Sequence, residues 1–461
     1  MTMPAASPGP LDEDRAPRGT TARRATTHEA TTRQGHGFDA VALLTVWIVL
    51  LVGISARQGV PGFGAIGSPA TLLALTTFGL WAAGWVLPTS GLRQDPHPMR
   101  PALLLLLGYQ VSSYAVATSR SLTALESTGS MRALLLAVAM AGIGLLVADG
   151  VQDLARLKVL LRRLVGGITV VATIGIVQFF TRLPLQFRLP GLQWNSEAFG
   201  IGQRSIFGRP AATTLHPIEF SVVTAALLPL AIHFALHGRT VHQRRNAAGC
   251  AALIALAVPM SISRSGILSL VVGLAVLAIG WDWRLRLKAL LVGVAAVPVL
   301  WAAIPGLVGT LIGLFTDTDN DPSIQARIDR RPRIMELIRQ RPVAGLGHGT
   351  WSIEDWFLID NQLYVTTLEM GLLGMALVIL VLLLGAGCAL LVGKLPGIGA
   401  EDAHLGQAIA ASIIALSVSI TTFDAFHYRI LTGSLFVLLG AAGALWRLHD
   451  ASEVIRIRSD G

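Results

Sequence analysis

The chain is a series of apolar runs, most of them about twenty residues long, separated by short polar connections. A run of that length crosses a lipid bilayer as an α-helix, which satisfies its own backbone groups there. A helix of a soluble protein would instead carry a polar face. The pattern predicts an all-α fold, a polytopic transmembrane helical bundle of about 12 spans. The predicted spans are 38–56, 69–88, 101–118, 131–149, 164–182, 212–236, 247–262, 265–280, 289–314, 360–392, 405–423 and 426–446.

Composition supports the membrane assignment and narrows the function. Hydrophobic residues make up 53% of the 461 positions and charged residues 14%, and the mean hydropathy is +0.62. The net charge of +9 comes from Lys and Arg that lie mostly in the short connections, so it predicts membrane topology and no nucleic-acid partner. Cys250 and Cys388 lie inside apolar runs and indicate neither a disulfide nor a metal site.

The basic connections also predict orientation and domains. With the N-terminus inside, every inside connection carries Lys or Arg, so both termini are expected in the cytoplasm and the protein in the cell membrane. Residues 1–37 lack a hydrophobic period and a signal-peptide core and are predicted to be a disordered cytoplasmic tail. Residues 38–449 form the membrane domain, with a large extracytoplasmic loop at 315–359, and residues 450–461 form a cytoplasmic C-terminal tail.

The segment 317–374 is the most polar part of an otherwise apolar chain. It concentrates arginines, carboxylates, a histidine and two tryptophans on the predicted outer side. Residues 327–340 are predicted to form a short surface helix, and residues 343–349 a glycine turn. The extracytoplasmic loop is therefore expected to be partly helical and to form the working part of the protein.

Arginines on the predicted outer face depart from the positive-inside pattern. Arg209 precedes the sixth span, and Arg264 lies between the seventh and eighth with almost no connection around it. A cation at membrane depth usually has an anionic partner, and arginine suits bidentate contacts to phosphate. Arg264 alone could instead reach lipid head groups. Several arginines at one face favour an anion site, and a membrane-embedded site favours a lipid-linked phosphate or diphosphate. The outer arginines are Arg204, Arg209, Arg264, Arg327, Arg330, Arg331, Arg333, Arg339 and Arg341.

Ionisable side chains also lie within or beside the spans. His216 and Glu219 are near the outer end of the sixth span, and Asp360 and Glu369 are in the tenth. Such groups are functional candidates, although polar groups that tie helices together are the alternative for Glu219 and Glu369. The groups Asp424, His427 and Arg429 are expected to form a local ion pair at a tight turn.

The sequence indicates no metal and no cofactor. The histidines are scattered along the chain, and the acidic run at 317–321 lacks the Gly and Glu that complete a calcium loop. A phosphate-binding glycine loop before Lys-Ser/Thr is missing, which argues against an ATP-driven machine.

Four segments resemble the O-antigen ligase and O-antigen (exopolysaccharide) polymerase superfamily in order and predicted membrane side. The first resembles that family's segment of an arginine followed by His/Pro, and the second its Ser-Arg-Gly/Ser turn. The third resembles its external pattern of an arginine, a short helix and Pro-x-x-Gly-x-Gly. The fourth resembles its closing Asn with a Gly-x-x-Gly. These segments are Phe207–Phe220, Ser263–Gly266, Arg327–Gly347 and Asn361–Gly374.

The resemblance implies a polytopic, metal-independent, inverting glycosyltransferase. Such enzymes take a glycan from undecaprenyl diphosphate at the outer face of the cytoplasmic membrane and pass it to a hydroxyl of a glycan, lipid or protein. Arginines hold the diphosphate, and a base in the external loop activates the acceptor. Where the ligases have His before the Asn, this chain has Asp360. The base is then Asp360 or His348, and the departure favours the polymerase-like or exopolysaccharide branch.

On this resemblance we expect a catalytic group, a diphosphate-binding group and a supporting group of residues. Trp351 and Trp356 would stack on sugar rings or anchor the loop at the interface. The alternatives are ligase-type transfer of a finished glycan, a flippase or transporter of the lipid-linked glycan, and a non-catalytic scaffold; other polysaccharide-export proteins are further candidate partners. The expected residues are Asp360 and His348 (catalytic), Arg209, Arg264, Arg327 and Arg331 (diphosphate), and His216, Glu219, Asn361 and Tyr364 (supporting).

Overall fold

The computed structural model describes residues 39–87, 92, 95–185, 188–194, 202–204, 207–316 and 322–459. The predicted tail at 1–37 and the acidic run at 317–321 lie outside the described residues.

The described part of the chain is almost entirely helical, as predicted. Its 14 α-helices are α1 (Ala40–Gly53), α2 (Pro69–Val86), α3 (Met99–Thr118), α4 (Ala124–Gly150), α5 (Leu154–Thr181), α6 (Pro217–His237), α7 (Val241–Met260), α8 (Arg264–Ile279), α9 (Trp283–Ala303), α10 (Leu307–Thr316), α11 (Pro322–Gln340), α12 (Gln362–Val392), α13 (Ala400–Ser419) and α14 (Arg429–Ser459).

Most predicted spans correspond to one helix each, but the predicted number of spans is not confirmed. Eight of the described helices are long and apolar enough to cross a membrane, namely α2, α3, α4, α5, α6, α9, α12 and α14. The helices α1, α8 and α10 are apolar but shorter than 18 residues. The ninth predicted span is two helices, α9 and α10, because Pro305 and Gly306 interrupt it. The chain is a multi-pass membrane protein.

Local sequence explains where several helices begin. Asp39 accepts hydrogen bonds from the N–H groups of Val41 and Ala42 at the start of α1. Thr123 and Glu126 form a reciprocal capping box at the start of α4. Asn361 caps α12. In each case the side chain satisfies N–H groups that the first helical turn leaves without partners.

The helices α6 and α14 lie at the centre of the bundle. Over the apolar window of each, 83% of the residues are buried, whereas none is buried in α9. Helix α6 packs against α5, α7, α8 and α13, and α14 packs against α4 and α12. The side chains of α9 are therefore in a position to face lipid, while α6 and α14 are enclosed by protein.

The described structure also contains two short antiparallel strand pairs, the second of which is a hairpin. Strand β1 (Gln58–Gly59) pairs with β2 (Gln193–Trp194), and β3 (Gly202–Arg204) pairs with β4 (Phe207–Arg209). The hairpin leads directly to α6 and thereby fixes the position from which Arg209 extends.

Candidate active site

At one end of the bundle, the first turns of α8 and α12 are hydrogen-bonded to the connection between α13 and α14. The N–H of Gln362, the first residue of α12, donates to the carbonyl oxygens of Ile420 and Phe423. The hydroxyl of Thr422 donates to Ser265 Oγ in the first turn of α8, at 2.8 Å. The starts of α8 and α12 are thus fastened to the same turn, and we call this end of the bundle the arginine end.

Arg327 and Asp360 face each other at the arginine end. Arg327 Nε lies 3.4 Å from Asp360 Oδ2, and Arg327 Nη2 donates to the carbonyl of Thr422 at 3.1 Å. The two side chains remain 38% and 26% exposed. The external helix α11 therefore presents its arginine to the carboxylate that precedes α12, and both groups stay accessible to a ligand.

Arg264 and Arg209 approach the same end from other helices. Arg264 is the first residue of α8, adjacent to Ser265, and its Nε donates to the carbonyl of Leu314 in α10. Arg209 Nε donates to the carbonyl of Ser261, at 3.2 Å, in the turn before α8. Both arginines are half-buried. Backbone carbonyls orient the two side chains, so both lie beside the start of α8.

Arg331, the fourth arginine of the predicted set, is exposed on α11. Its neighbour Arg330 is half-buried and donates to the carbonyl of Leu358 at 3.0 Å, which ties α11 to the loop before Asp360. The structure therefore brings Arg327 to Asp360, and it does not give Arg331 a comparable position.

His216 and Glu219 accept hydrogen bonds from backbone N–H groups near the starts of α6 and α14. His216 Nδ1 accepts the N–H of Ile218 at 3.1 Å, and burial, with Arg209 and Arg57 nearby, lowers the pKa of His216 to about 4. Glu219 is fully buried. One of its carboxylate oxygens accepts the N–H groups of Ile430 and Leu431, and the other that of Leu215. Both side chains therefore cap helix ends. For Glu219 this agrees with the alternative of a polar group that ties helices together.

The glycine turn at 343–349 docks into a break in α12. The N–H groups of Leu346 and Gly347 donate to the carbonyls of Leu368 and Glu369, and the N–H of Leu372 donates to the carbonyl of Pro342, all at 2.8 Å. Gly371 has φ 69° and ψ −176°, a conformation that non-glycine residues almost never adopt. The Pro-x-x-Gly-x-Gly and Gly-x-x-Gly patterns are therefore two halves of one backbone junction.

This junction sets His348 beside Glu369. His348 Nδ1 lies 3.6 Å from Glu369 Oε2, and Glu369 Oε1 accepts the N–H of Trp351 at 3.1 Å. The side chains of His348 and Glu369 are only 14% and 10% exposed. His348 is thus more enclosed than Asp360 and is paired with a different carboxylate.

The remaining predicted residues have structural contacts at this end. Asn361 Oδ1 accepts the N–H groups of Leu363 and Tyr364, and Asn361 Nδ2 donates to the carbonyl of Thr421 at 2.9 Å. Tyr364 packs in the apolar cluster between α11 and α12. The rings of Trp351 and Trp356 stack on each other, with centroids 5.2 Å apart.

Two further charged residues, Asp424 and Arg132, belong to this end of the bundle. Asp424 lies in the turn between α13 and α14, and burial together with the nearby carboxylates of Glu369 and Asp360 raises its pKa to about 7. Arg132 opposes this rise. An arginine inside the apolar α4 was a signal available in the sequence, because charges within spans are rare. That Asp424 lies near the carboxylates of Glu369 and Asp360 could be seen only from the three-dimensional structure.

The comparisons bear on the segment that contains most of these residues. Residues 249–379 match the family model described as O-antigen ligase. This segment is similar to the O-antigen ligase family. This match confirms the resemblance of the motifs to the O-antigen ligase and polymerase superfamily, and it includes Arg264, Arg327, His348 and Asp360. No curated protein matches the chain. The similarity supports a glycosyltransferase-like membrane enzyme, and the matched family suggests a lipid-linked glycan as substrate.

Proposed function

We propose that the protein transfers or polymerises glycan from an undecaprenyl-diphosphate-linked donor onto a hydroxyl acceptor at the outer face of the cytoplasmic membrane. The observation that supports this is the arginine end. Arg209, Arg264 and Arg327 come from three distant segments and reach the same end of the bundle, where Arg327 faces Asp360. The cell-surface product would be an exopolysaccharide or a similar polymer.

In this proposal the three arginines hold the diphosphate of the donor. Cleavage of the bond between the anomeric carbon and the diphosphate leaves negative charge on the leaving group. Guanidinium groups already fixed by Ser261, Leu314 and Thr422 carbonyls stabilise that charge without reorganising. Removal of one such donor costs on the order of 100- to 1000-fold in rate in other enzymes. The same charges disfavour a neutral, free sugar as the ligand.

Asp360 is the proposed base. It takes the proton of the acceptor hydroxyl, whose oxygen attacks the anomeric carbon from the side opposite the diphosphate and inverts it. Asp360 lies beside Arg327, and its side chain is more accessible than that of His348. His348, held beside Glu369, is the alternative base.

The test is polysaccharide formation in cells or membranes that carry single variants. Arg264→Ala and Asp360→Asn are expected to abolish the product, while Arg245→Ala is a matched control because Arg245 is exposed on α7, away from this site. Near-normal product from a stably inserted Asp360→Asn protein would refute Asp360 as the base. Loss of product in His348→Ala alone would then assign the role to His348.

Product length separates the two transfer reactions. A ladder of glycans that grow by one repeat unit indicates polymerisation, and a single addition of a finished glycan indicates ligase-type transfer. A protein that moved the lipid-linked glycan across the membrane without changing its length would be a flippase, and this result would contradict the proposal.

A further inference from the structure

Three histidines meet at the end of the bundle opposite the arginine end. His233 and His237 lie four residues apart on α6, and His404 lies in the first turns of α13. One nitrogen from each ring can be chosen so that the three atoms lie within 4.8 Å of one another. His233 is buried and the other two are half-buried. The expectation that the histidines are scattered was therefore wrong in three dimensions, because α13 folds back against α6.

The hydrogen bonds of this cluster fix where its protons lie. The indole N–H of Trp281 can only donate, and it donates to His404 Nε2 at 2.8 Å. A neutral His404 then carries its proton on Nδ1, which lies 2.9 Å from His233 Nδ1. His237 Nδ1 is buried and has no hydrogen-bond partner among the described residues. In α6, His233 Nδ1 is therefore the acceptor from His404, and His237 Nδ1 is buried without a hydrogen bond among the described residues.

We propose that His233, His237 and His404 bind a divalent transition-metal ion such as Zn²⁺. Two histidines four residues apart on one helix face are a recurrent zinc-binding arrangement, and imidazole suits zinc and its neighbours in the periodic table. Zn–N bonds of about 2.0–2.1 Å in a tetrahedral site separate two ligand nitrogens by roughly 3.3 Å. The His233 and His404 Nδ1 atoms, now 2.9 Å apart, would part by about 0.4 Å, and both rings would turn so that their nitrogens face the ion.

In this proposal water fills the fourth coordination position, because the carboxylates of Glu401 and Asp402 are already paired with Lys158. Glu401 and Asp402, in the first turn of α13, are engaged by Lys158 Nζ at 2.7 and 2.8 Å. These carboxylates offset the positive charge of Lys158 near the proposed ion, and they are not needed as ligands. Three protein ligands with one open position is a known zinc geometry.

The proposed metal site is separate from the arginine end. Helix α6 begins next to His216 and ends at His237, and its 21 residues span about 30 Å. An ion at its far end cannot contact the proposed glycan site. It would link the end of α6 to the start of α13, whose other end leads to the Thr422 turn. Metal binding therefore does not depend on the proposed transfer reaction.

Metal binding also changes the protons of His404. An ion on His404 Nδ1 displaces the proton there. That proton either leaves to solvent or moves to Nε2, in which case Trp281 must turn away. Trp281→Phe removes the competing donor, so this variant is expected to bind the ion at least as tightly as the unaltered protein.

The experiment is a Co²⁺ titration of the full chain in nanodiscs, purified without a histidine tag and treated with a chelator, followed by Zn²⁺ competition. One Co²⁺ per chain with the visible absorption of a tetrahedral site is expected. His237→Gln and His404→Gln should weaken binding by more than about 100-fold, because even changes next to a ligand cost 10- to 100-fold. His242→Ala, an exposed histidine on α7, should bind normally.

Three results would overturn the proposal. They are the absence of stoichiometric Co²⁺ or Zn²⁺ binding by the folded protein, unchanged binding in folded His237→Gln, and loss of binding in folded Trp281→Phe. Gel filtration and the fluorescence of the unfolding transition establish folding for each variant. His237→Gln is the decisive change, since this ring has the fewest structural contacts of the three.

Discussion

Gly371 allows the most direct test of the junction between the external loop and α12. In Gly371→Ala, the new Cβ would clash with the carbonyl oxygen of Val343, so the glycine turn must move away. The backbone at φ 69° and ψ −176° also disfavours alanine. We expect the turn at 343–349 to undock and His348 to lose its place beside Glu369.

The size of the effect follows from the contacts at the junction. The backbone conformation costs about 1–3 kcal/mol for a residue with a side chain. Displacement of the turn breaks three backbone hydrogen bonds, each worth about 0.5–1.5 kcal/mol. Together these terms weaken docking by roughly 3–7 kcal/mol. Even 3 kcal/mol lost in positioning the site corresponds to about a hundredfold in rate.

The assay combines product formation with limited trypsin digestion in membranes. Arg339, which is exposed in the last turn of α11 just before the glycine turn, should be cut faster in Gly371→Ala than in the unaltered protein. Gly387→Ala is the matched control on the same helix, because its Cβ would meet nothing within 4 Å and alanine favours a helix by about 1 kcal/mol. A Gly371→Ala protein with normal activity and normal trypsin sensitivity would refute this account of the junction.

Three further predictions concern residues around the site. Glu219→Gln should lower the free energy of unfolding by about 1–3 kcal/mol in thermal unfolding, because backbone N–H groups lose their acceptor, and an unchanged melting temperature would contradict this role. The free energy of unfolding of the unaltered protein should fall as pH rises from about 4 to 7, because the pKa of Asp424 is near 7 in the native state and lower in the unfolded chain. Asp424→Asn should remove this fall, and parallel pH profiles of the two proteins would contradict the prediction. Arg327→Ala should reduce activity more than Arg331→Ala in the same membrane assay, since only Arg327 faces Asp360, and equal losses would argue against that pairing.

Much of the helical fold could be predicted from local sequence. The apolar runs indicate helices directly, and the external helix predicted at 327–340 is within α11. The pattern could not show that the run at 289–314 breaks at Pro305, since its hydrophobicity continues past the break. It also could not give the number of spans, because α1, α8 and α10 are apolar but short.

The candidate site was only partly accessible from sequence. Arg209 and Arg264 were identifiable because arginines on the predicted outer side depart from the positive-inside pattern, and Asp360 because ionisable groups in membrane spans are rare. Their partners were not, because they are backbone carbonyls such as those of Ser261, Leu314 and Thr422, which have no sequence signature. The role of Glu219 as a cap of α14 likewise depends on a contact across more than two hundred residues.

The central claim is that the arginine end releases a lipid diphosphate while a glycan is transferred. The most direct measurement uses the purified protein in proteoliposomes with an undecaprenyl-diphosphate-linked glycan, and follows diphosphate release and glycan extension together. The account predicts equal amounts of the two products, about a 100-fold or greater loss in Arg264→Ala, and normal turnover in Arg245→Ala. Normal turnover in a folded Arg264→Ala protein, or diphosphate release without glycan transfer to a hydroxyl acceptor, would contradict it.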